Sequence, residues 1–259
     1  MEIDKNKVIF IISHKYYRGY DSYIEYYINN IQKFYKKALI IVVDNNSTYK
    51  NDIFDNLRKY ENVVLLDNNI ESKFELGAYT VGLNFLYNNN INGYDYIVCT
   101  QDNFIIKNKI NFTEFYEKNI TASTIVGCRQ DPILTDYLNI HSDCSEVSIP
   151  ILSKLNLNNN LDKISFCWCN SFVIAFEKYN QLLEYFKQIV IKIRWESCAS
   201  ERYMSRILWE LNNNKNHAID GDIRDVKYNY DCHSVNIYAD VKSFFVKKVQ
   251  NKNENTIDK

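Results

Sequence analysis

Short runs that are apolar throughout alternate, over the first hundred residues, with longer stretches that are apolar on one side only. The runs are Lys7–Ser13 (KVIFIIS), Ala38–Val43 (ALIIVV), Asn62–Leu66 and Tyr96–Cys99. Continuous β-branched runs of this length read as strands buried on both faces, the habit of parallel sheets. Between them, Tyr20, Tyr23, Ile24, Tyr27, Ile28, Ile31 and Phe34 recur at helical spacing and predict a helix with one apolar face. A second helix is expected near 52–60. A third opens at Glu75, with Leu76, Tyr79, Leu83 and Leu86 on one side. The order β-α-β-α-β-α-β predicts parallel strands joined by helical crossovers.

Beyond residue 108 the pattern loosens. Phe112–Lys118 reads as a short helix and Thr124–Cys128 as a strand. The stretch 131–160 holds both prolines and an Asn-rich run; it is expected to be irregular, with Val147–Leu152 a strand. Ser165–Phe176 (SFCWCNSFVIAF) is strongly β-like. Glu177–Ile191 and Ser200–Leu211 have helical periods, the latter capped by Ser197 or Ser200. Val226–Ile237 reads as short strand and loop, and Asp240–Val249 as a terminal helix. No repeat and no Gly-, Pro- or Ser-rich linker divides the chain. One domain over 1–259 is expected, with a regular half to about 110, a looser half over about 111–250 and a frayed polar tail at 251–259.

The totals are those of a globular protein: 259 residues, 46% hydrophobic and 24% charged, enough to support a core without staples. A net charge of −1 and the lack of basic runs give no electrostatic case for nucleic acid. The 21 Tyr and 14 Phe, with abundant Asn, Ile and Lys, look like AT-rich coding bias, so single Tyr or Asn residues carry little weight. The seven Cys are odd in number and irregularly spaced. Cys167-Trp168-Cys169 is C-x-C, not a zinc knuckle, and reduced thiols in a cytoplasmic protein are expected. The N-terminus resembles neither a signal peptide nor a membrane span.

Chemistry is expected where apolar strands end in polar residues, because open α/β sheets take ligands at their carboxyl ends. Three such tips stand out: His14, Asp44-Asn45-Asn46-Ser47, and Thr100-Gln101-Asp102-Asn103. In one parallel sheet they would converge on one crevice. Gly77 and Gly82 are two of only six glycines. Inside a helix each costs about 1 kcal/mol against Ala, so each permits close approach, either of the sheet or of a ligand. The dinucleotide fingerprint, the P-loop and the hydrolase elbow are all absent.

The pieces VIFIIS, VVDNNS, ELGAYTVGLN and YDYIVCTQDN resemble the GT-A fold glycosyltransferases, in particular the family-2-like nucleotide-sugar transferases. The resemblance covers about 7–110. It implies an α/β, GT-A-like (Rossmann-like) fold with a mostly parallel sheet flanked by helices and a less regular acceptor-side half. It implies a nucleoside diphosphate sugar donor, a glycan or other hydroxyl acceptor, and a divalent cation, Mn2+ or Mg2+. By the same resemblance His14, Asp44, Asn46, Glu75, Gly77, Gln101 and Asp102 face the donor, with Asp44 at the nucleobase or ribose. The family's metal motif has two carboxylates; here it reads Gln101-Asp102-Asn103, with one. His233 is the proposed second ligand beside Asp102, against a structural histidine. Glu201 resembles the family's catalytic base at a helix start, against a glutamate favoured there by the helix dipole, with Glu196 as the fallback. Trp168 and Asn170 would form an acceptor platform, against a core tryptophan. Arg202 and Arg206 would meet the diphosphate or face solvent.

The transfer is expected to invert the sugar by direct displacement. Two other classes stay open: a non-catalytic sugar-nucleotide or glycan binding module, favoured by the one-carboxylate motif, and a sugar nucleotidyltransferase, disfavoured because His14–Gly19 (HKYYRG) holds one glycine.

Overall fold

A computed structural model describes residues 7–16, 24–47, 50–102, 104–106, 122–125, 144–159, 166–211 and 245–247. The first half runs β1 (Val8–His14), α1 (Ile24–Phe34), β2 (Leu39–Asp44), α2 (Lys50–Leu57), β3 (Val63–Asp67), α3 (Phe74–Asn88) and β4 (Tyr96–Gln101). These are the alternating elements the hydrophobic pattern predicts. After them come β5 (Phe104–Ile106), β6 (Ala122–Ile125), α4 (Cys144–Lys154), β7 (Phe166–Ala175), a short 3-10 turn (Phe176–Lys178), α5 (Tyr179–Phe186), α6 (Arg194–Leu211) and β8 (Phe245–Lys247).

Six strands form one sheet in the order β3-β2-β1-β4-β7-β6. The strands β1 to β4 are parallel, and β7 pairs antiparallel with both β4 and β6. This is the α/β class with a mostly parallel sheet flanked by helices. The strand order reverses between β1 and β4, where such sheets open their crevice.

Alternation along β1 sorts its side chains onto two cores. Phe10 and Ile12 join α1 and α2 on one face; Ile9 and Ile11 join α3, α5 and α6 on the other. Each of these four residues is fully buried, a burial that contributes roughly 1.5–3 kcal/mol per side chain. Both glycines of α3 serve this packing. A Cβ on Gly82 would lie 2.5 Å from Ile11 Cγ2, and one on Gly77 would lie 2.2 Å from the Ser72 carbonyl oxygen. Close packing accounts for the lack of a side chain at both positions.

The second half departs from the sequence pattern. The expected strand at Val147–Leu152 is part of helix α4, which contains Pro150. Proline removes one helical hydrogen bond, but α4 is held by packing on α6, where the buried Ser148 hydroxyl donates to Ala199 O at 3.2 Å. Helix α6 starts at Arg194, not Ser200. Ser197 and Ser200 are therefore inside it and do not cap it; Glu196 does, accepting the N–H groups of Lys192 and Ile193 at 2.6 and 3.2 Å. The expected 177–191 helix stops at Phe186. The strand placed at 124–128 is Ala122–Ile125. Within the expected terminal helix, residues 245–247 are a strand paired with β5. Asn30 of α1 clamps β5, exchanging two hydrogen bonds with the Ile106 backbone at 2.6 and 3.1 Å. The helix expected at Phe112–Lys118, the strand and loop expected at Val226–Ile237, the tail, and Asn103 lie outside the described residues. No helix among the described residues is long and apolar enough to cross a membrane.

Two expectations follow. Gly77→Ala should destabilise the fold by about 1–3 kcal/mol in urea titration, since the clash is with backbone. Gly82→Ala should cost less, because its clash is with one side chain and alanine recovers about 1 kcal/mol of helix propensity. Equal effects would remove the packing account of Gly77.

The second concerns alkaline pH. Burial pushes the phenols of Tyr27, Tyr79 and Tyr203 and the Cys99 thiol up from their ordinary ranges. The folded chain thus keeps protons that the unfolded chain releases above about pH 8.5 for thiols and about pH 10 for phenols. Their contribution is full below that range and is lost as pH rises through it. The urea midpoint should fall between about pH 7.5 and about pH 10, with part of the phenolate absorbance arriving only on unfolding.

Candidate functional site

Parallel register places the polar tips side by side. His14 stands opposite Asp44, and Ser13 opposite Gln101. The ladder runs on past the strands: Asn45 N–H donates to His14 O at 2.8 Å, Asn68 N–H to Asp44 O at 2.9 Å, and Asp102 N–H to Ser13 O at 3.2 Å. The register puts His14, Asp44 and Asp102 in one row on the α1 side. Ser13, Asn45 and Gln101 form a second row on the α3 side.

The α1-side row is buried and largely self-satisfied. His14 and Asp44 are each 1% exposed and Asp102 is 8%. His14 Nδ1 lies 2.7 Å from Asp102 Oδ2, which also accepts Lys15 N–H at 3.2 Å. The Ser47 backbone and hydroxyl both donate to Asp44. Tyr16 N–H in turn donates to Ser47 Oγ at 2.7 Å. The backbone of residues 15–16 is thus tied to both carboxylates. The tips do meet at one edge. No open gap separates Asp44 from Asp102, because β1 runs between them and His14 fills that place. Asn46 is exposed at a φ of 67°, a left-handed turn position that Asn tolerates.

The α3-side row joins the two halves of the chain. Asn45 Nδ2 donates to Ser13 Oγ at 2.8 Å, and Asn68 Nδ2 donates to Asn45 Oδ1 at 2.7 Å. Glu75, buried in the first turn of α3, accepts Gln101 Nε2 on one oxygen at 2.7 Å and Ser197 Oγ on the other at 2.9 Å. Arg194 NH1 is 3.8 Å from Glu75. Desolvation opposes the Arg194 charge, but Glu75 and its other neighbours raise its pKa overall. From Ser197 the chain of bonds continues: Ser200 Oγ donates to Ser197 O at 2.6 Å, and Asn170 Nδ2 donates to Ser200 Oγ at 2.8 Å.

Cys169 and Asn170, in β7, take φ angles of 52° and 48°. Successive left-handed residues that are not glycine store strain of order 1–3 kcal/mol each, a feature that gathers at functional sites. Glu201 braces the bend, accepting Cys169 N–H on Oε1 at 2.9 Å. It does so from within α6, not from a helix start. The helix-dipole account of Glu201 therefore does not apply. Arg202 and Arg206 are buried, at 4% and 6%; neither faces solvent. Arg206 lies over the Trp209 ring at 4.4 Å, and desolvation lowers its pKa.

The structure thus gathers His14, Asp44, Glu75, Gln101, Asp102, Asn170 and Glu201 at one end of the sheet. Of the network's other members, Asn45 was part of an expected polar tip, while Asn68, Ser197 and Ser200 were not expected at the site. Asn45 alone had a local signal, its place in the polar turn after β2. His233 lies outside the described residues, as does the side chain of Trp168. The implied cation finds no protein-built site: no group of three His, Cys, Asp or Glu side chains that could hold a metal occurs among the described residues. Asp102 Oδ2 is engaged twice within the protein, by His14 and by Lys15 N–H.

No protein-family model matches the chain, and no curated protein matches it in sequence. Solved structures with some likeness include the mannosyltransferase Ktr4p of S. cerevisiae, at 12% identity and a TM-score of 0.38, over 78% of this chain and 66% of that one. Another is the mannosyltransferase PcManGT of Pyrobaculum calidifontis in complex with GDP-Man and Mn2+, at 14% and 0.35, over 61% and 49%. Core-mannan synthase A of Aspergillus fumigatus, in its Mn/GDP form, stands at 9% and 0.36, over 84% and 72%. The chain spans just under two thirds of the first structure's length and about half of the second's. At these scores the likeness decides nothing about activity.

Removing Glu75 should uncouple the halves. Glu75→Ala leaves the buried Ser197 hydroxyl and the half-buried Gln101 amide without this acceptor. The expected loss is about 1–3 kcal/mol for each donor left unsatisfied, read by urea titration, with Glu75→Gln losing less. A neutral Glu75→Ala would show that the bridge is not formed in solution.

Proposed function

We propose that the chain is a glycosyltransferase that binds a nucleoside diphosphate sugar at the carboxyl edge of β1, β2 and β4 and passes the sugar to a hydroxyl acceptor held beside β7 and α6. The observation that carries this reading is the meeting of His14, Asp44 and Asp102 at the β1/β4 reversal, with the strained Cys169–Asn170 bend on the opposite flank. The sequence resemblance supports it on separate grounds.

Asp44 is the carboxylate for nucleobase or ribose donors, on binding exchanging its Ser47 contacts for theirs. The acceptor oxygen attacks the anomeric carbon as the bond from that carbon to the diphosphate oxygen breaks. The leaving diphosphate keeps the electron pair. The acceptor proton passes to a carboxylate; Glu201, oriented by Cys169 N–H, is the one on that side. Because the described residues do not build a cation site, no step is assigned to a metal. Direct displacement inverts the sugar, so a product of retained configuration would remove Glu201 from the base role.

A second reading, a non-catalytic sugar-nucleotide binding module, is favoured by one observation: Asp102 is already engaged by His14 and Lys15. Calorimetry with nucleoside diphosphates and their sugars, GDP-mannose among them, followed by donor hydrolysis assays, separates the two. Wild type should bind and turn over a donor. Asp44→Ala should weaken binding about tenfold or more, the worth of a hydrogen bond to a charged group. Binding without turnover, with and without manganese, would favour the module; a folded protein that binds no member of the panel would sink the proposal.

A further inference from the structure

The chain leaving Asp102 is gripped from both edges. In an extended strand the N–H and C=O of one residue point to the same edge, and those of the next residue to the other. Ile106 N–H donates to Asn30 Oδ1 at 2.6 Å, and Ile106 O accepts from Asn30 Nδ2 at 3.1 Å. The Asn30 amide thus stands where a neighbouring strand would. Both polar groups of Ile106 are spent on the α1 edge, so those of Ile105 face the opposite edge. There the antiparallel register sets Ile105 against Val246 of β8. Ile105 and Val246 are therefore a hydrogen-bonded pair, and Asn30 and Val246 grip successive residues of β5 from opposite sides.

This grip follows a carboxylate closely in the chain. β4 ends at Gln101, and Asp102 keeps one last ladder bond, from its N–H to Ser13 O at 3.2 Å. The terminal rung of a ladder is the first to open. Past it the chain joins the α1 side, where Ile106 is 2% exposed within the core that α1 shares with β1. Holding β5 fixes the far end of that turn and, with the ladder bond, the direction in which the Asp102 side chain leaves the backbone. Its Oδ2 meets His14 Nδ1 at 2.7 Å and accepts Lys15 N–H at 3.2 Å. A carboxylate only accepts, so the proton between the two side chains sits on His14 Nδ1. A line of contacts thus runs from the C-terminal strand through β5 to Asp102, and on to His14 and the backbone of Lys15.

We propose that Asn30 and the backbone of Val246 are positioning groups for Asp102: by gripping β5 from its two edges they hold the Asp102 carboxylate on the His14 ring and on Lys15 N–H. An isolated pair of short strands is marginal in water, and among the described residues β8 pairs with β5 alone. β8 is therefore the part of the grip that opens most easily, and its opening reaches Asp102 before it reaches the cores of the main sheet. Asn30 keeps the other edge of β5 meanwhile. The coupling of β8 to Asp102 stands on the backbone geometry; that it tunes ligand binding rests on this edge being the nucleotide site proposed above.

The test uses the full chain and four variants. Val246→Pro removes the N–H that faces Ile105, and Val246→Ala keeps it. Asn30→Ala removes both bonds to Ile106, and Asn30→Asp keeps the acceptor for its N–H. Hydrogen exchange by NMR follows the Lys15 amide and the His14 Nδ1 proton, the signature of the Asp102 contact, with the Ile11 and Val42 amides of the main sheet as a control for the fold. Val246→Pro and Asn30→Ala should each speed exchange at Lys15 and at His14 Nδ1 about tenfold, the worth of about one net hydrogen bond. Ile11 and Val42 should stay within about twofold, Val246→Ala should follow wild type, and Asn30→Asp should fall between. Calorimetry with GDP and UDP should show about a tenfold loss of affinity in Val246→Pro. The inference is overturned if Lys15 and His14 in Val246→Pro exchange as in wild type, if Val246→Ala matches Val246→Pro, if the main sheet loosens equally, or if wild type and Val246→Pro bind a nucleotide equally well. A wild type that binds neither nucleotide, with exchange responding as expected, removes the nucleotide site and leaves the coupling standing.

Discussion

A parallel strand buried on both faces is the constraint from which the rest follows. β1 has no solvent-facing side, so its polar residues can emerge only at its ends. Its neighbours β2 and β4 are in parallel register with it and end at the same edge. Ser13, His14, Asp44, Gln101 and Asp102 therefore meet without any loop having to carry them there. The strand order reverses at β1 and β4, the point at which open α/β sheets take their ligands. The meeting of these tips is a consequence of the sheet's winding, and their make-up a consequence of where the apolar runs stop.

Glu75 then makes one site of two halves. Its two oxygens take one donor from β4 and one from α6, residues 26 and 122 positions away in the chain. A buried carboxylate satisfied on both oxygens is directional and costly to break. It fixes the start of α6 against the tip of β4, and through Ser197, Ser200 and Asn170 it fixes the bend of β7. The flank of the sheet end away from the parallel strands owes its position to this line of bonds. The strain at Cys169 and Asn170 is held there by the same line and by Glu201.

The first half was legible because its signals are local and agree with one another. Runs such as KVIFIIS leave no polar face, and the intervening stretches keep a helical period, so pattern and structure coincide from β1 to β4. The second half was not, because packing overrode local preference. Pro150 and the β-branched residues near it argue against a helix, yet α4 forms on the surface α6 provides. Serines at 197 and 200 look like caps, yet both lie inside α6 and spend their hydroxyls on Glu75 and on a helix carbonyl. Nothing in the sequence shows that Ser72 O lies against Gly77.

The sequence by itself determined the α/β order, the buried strands and the residues at which each strand turns polar, since these depend on side-chain hydrophobicity within a few positions. Only the tertiary structure decided which atoms at those tips are spent on one another. That His14 closes on Asp102, and that Asn170 is tied to Ser200, depend on partners 88 and 30 residues away. A hydrogen bond is settled by distance and direction in space, and spacing along the chain carries neither.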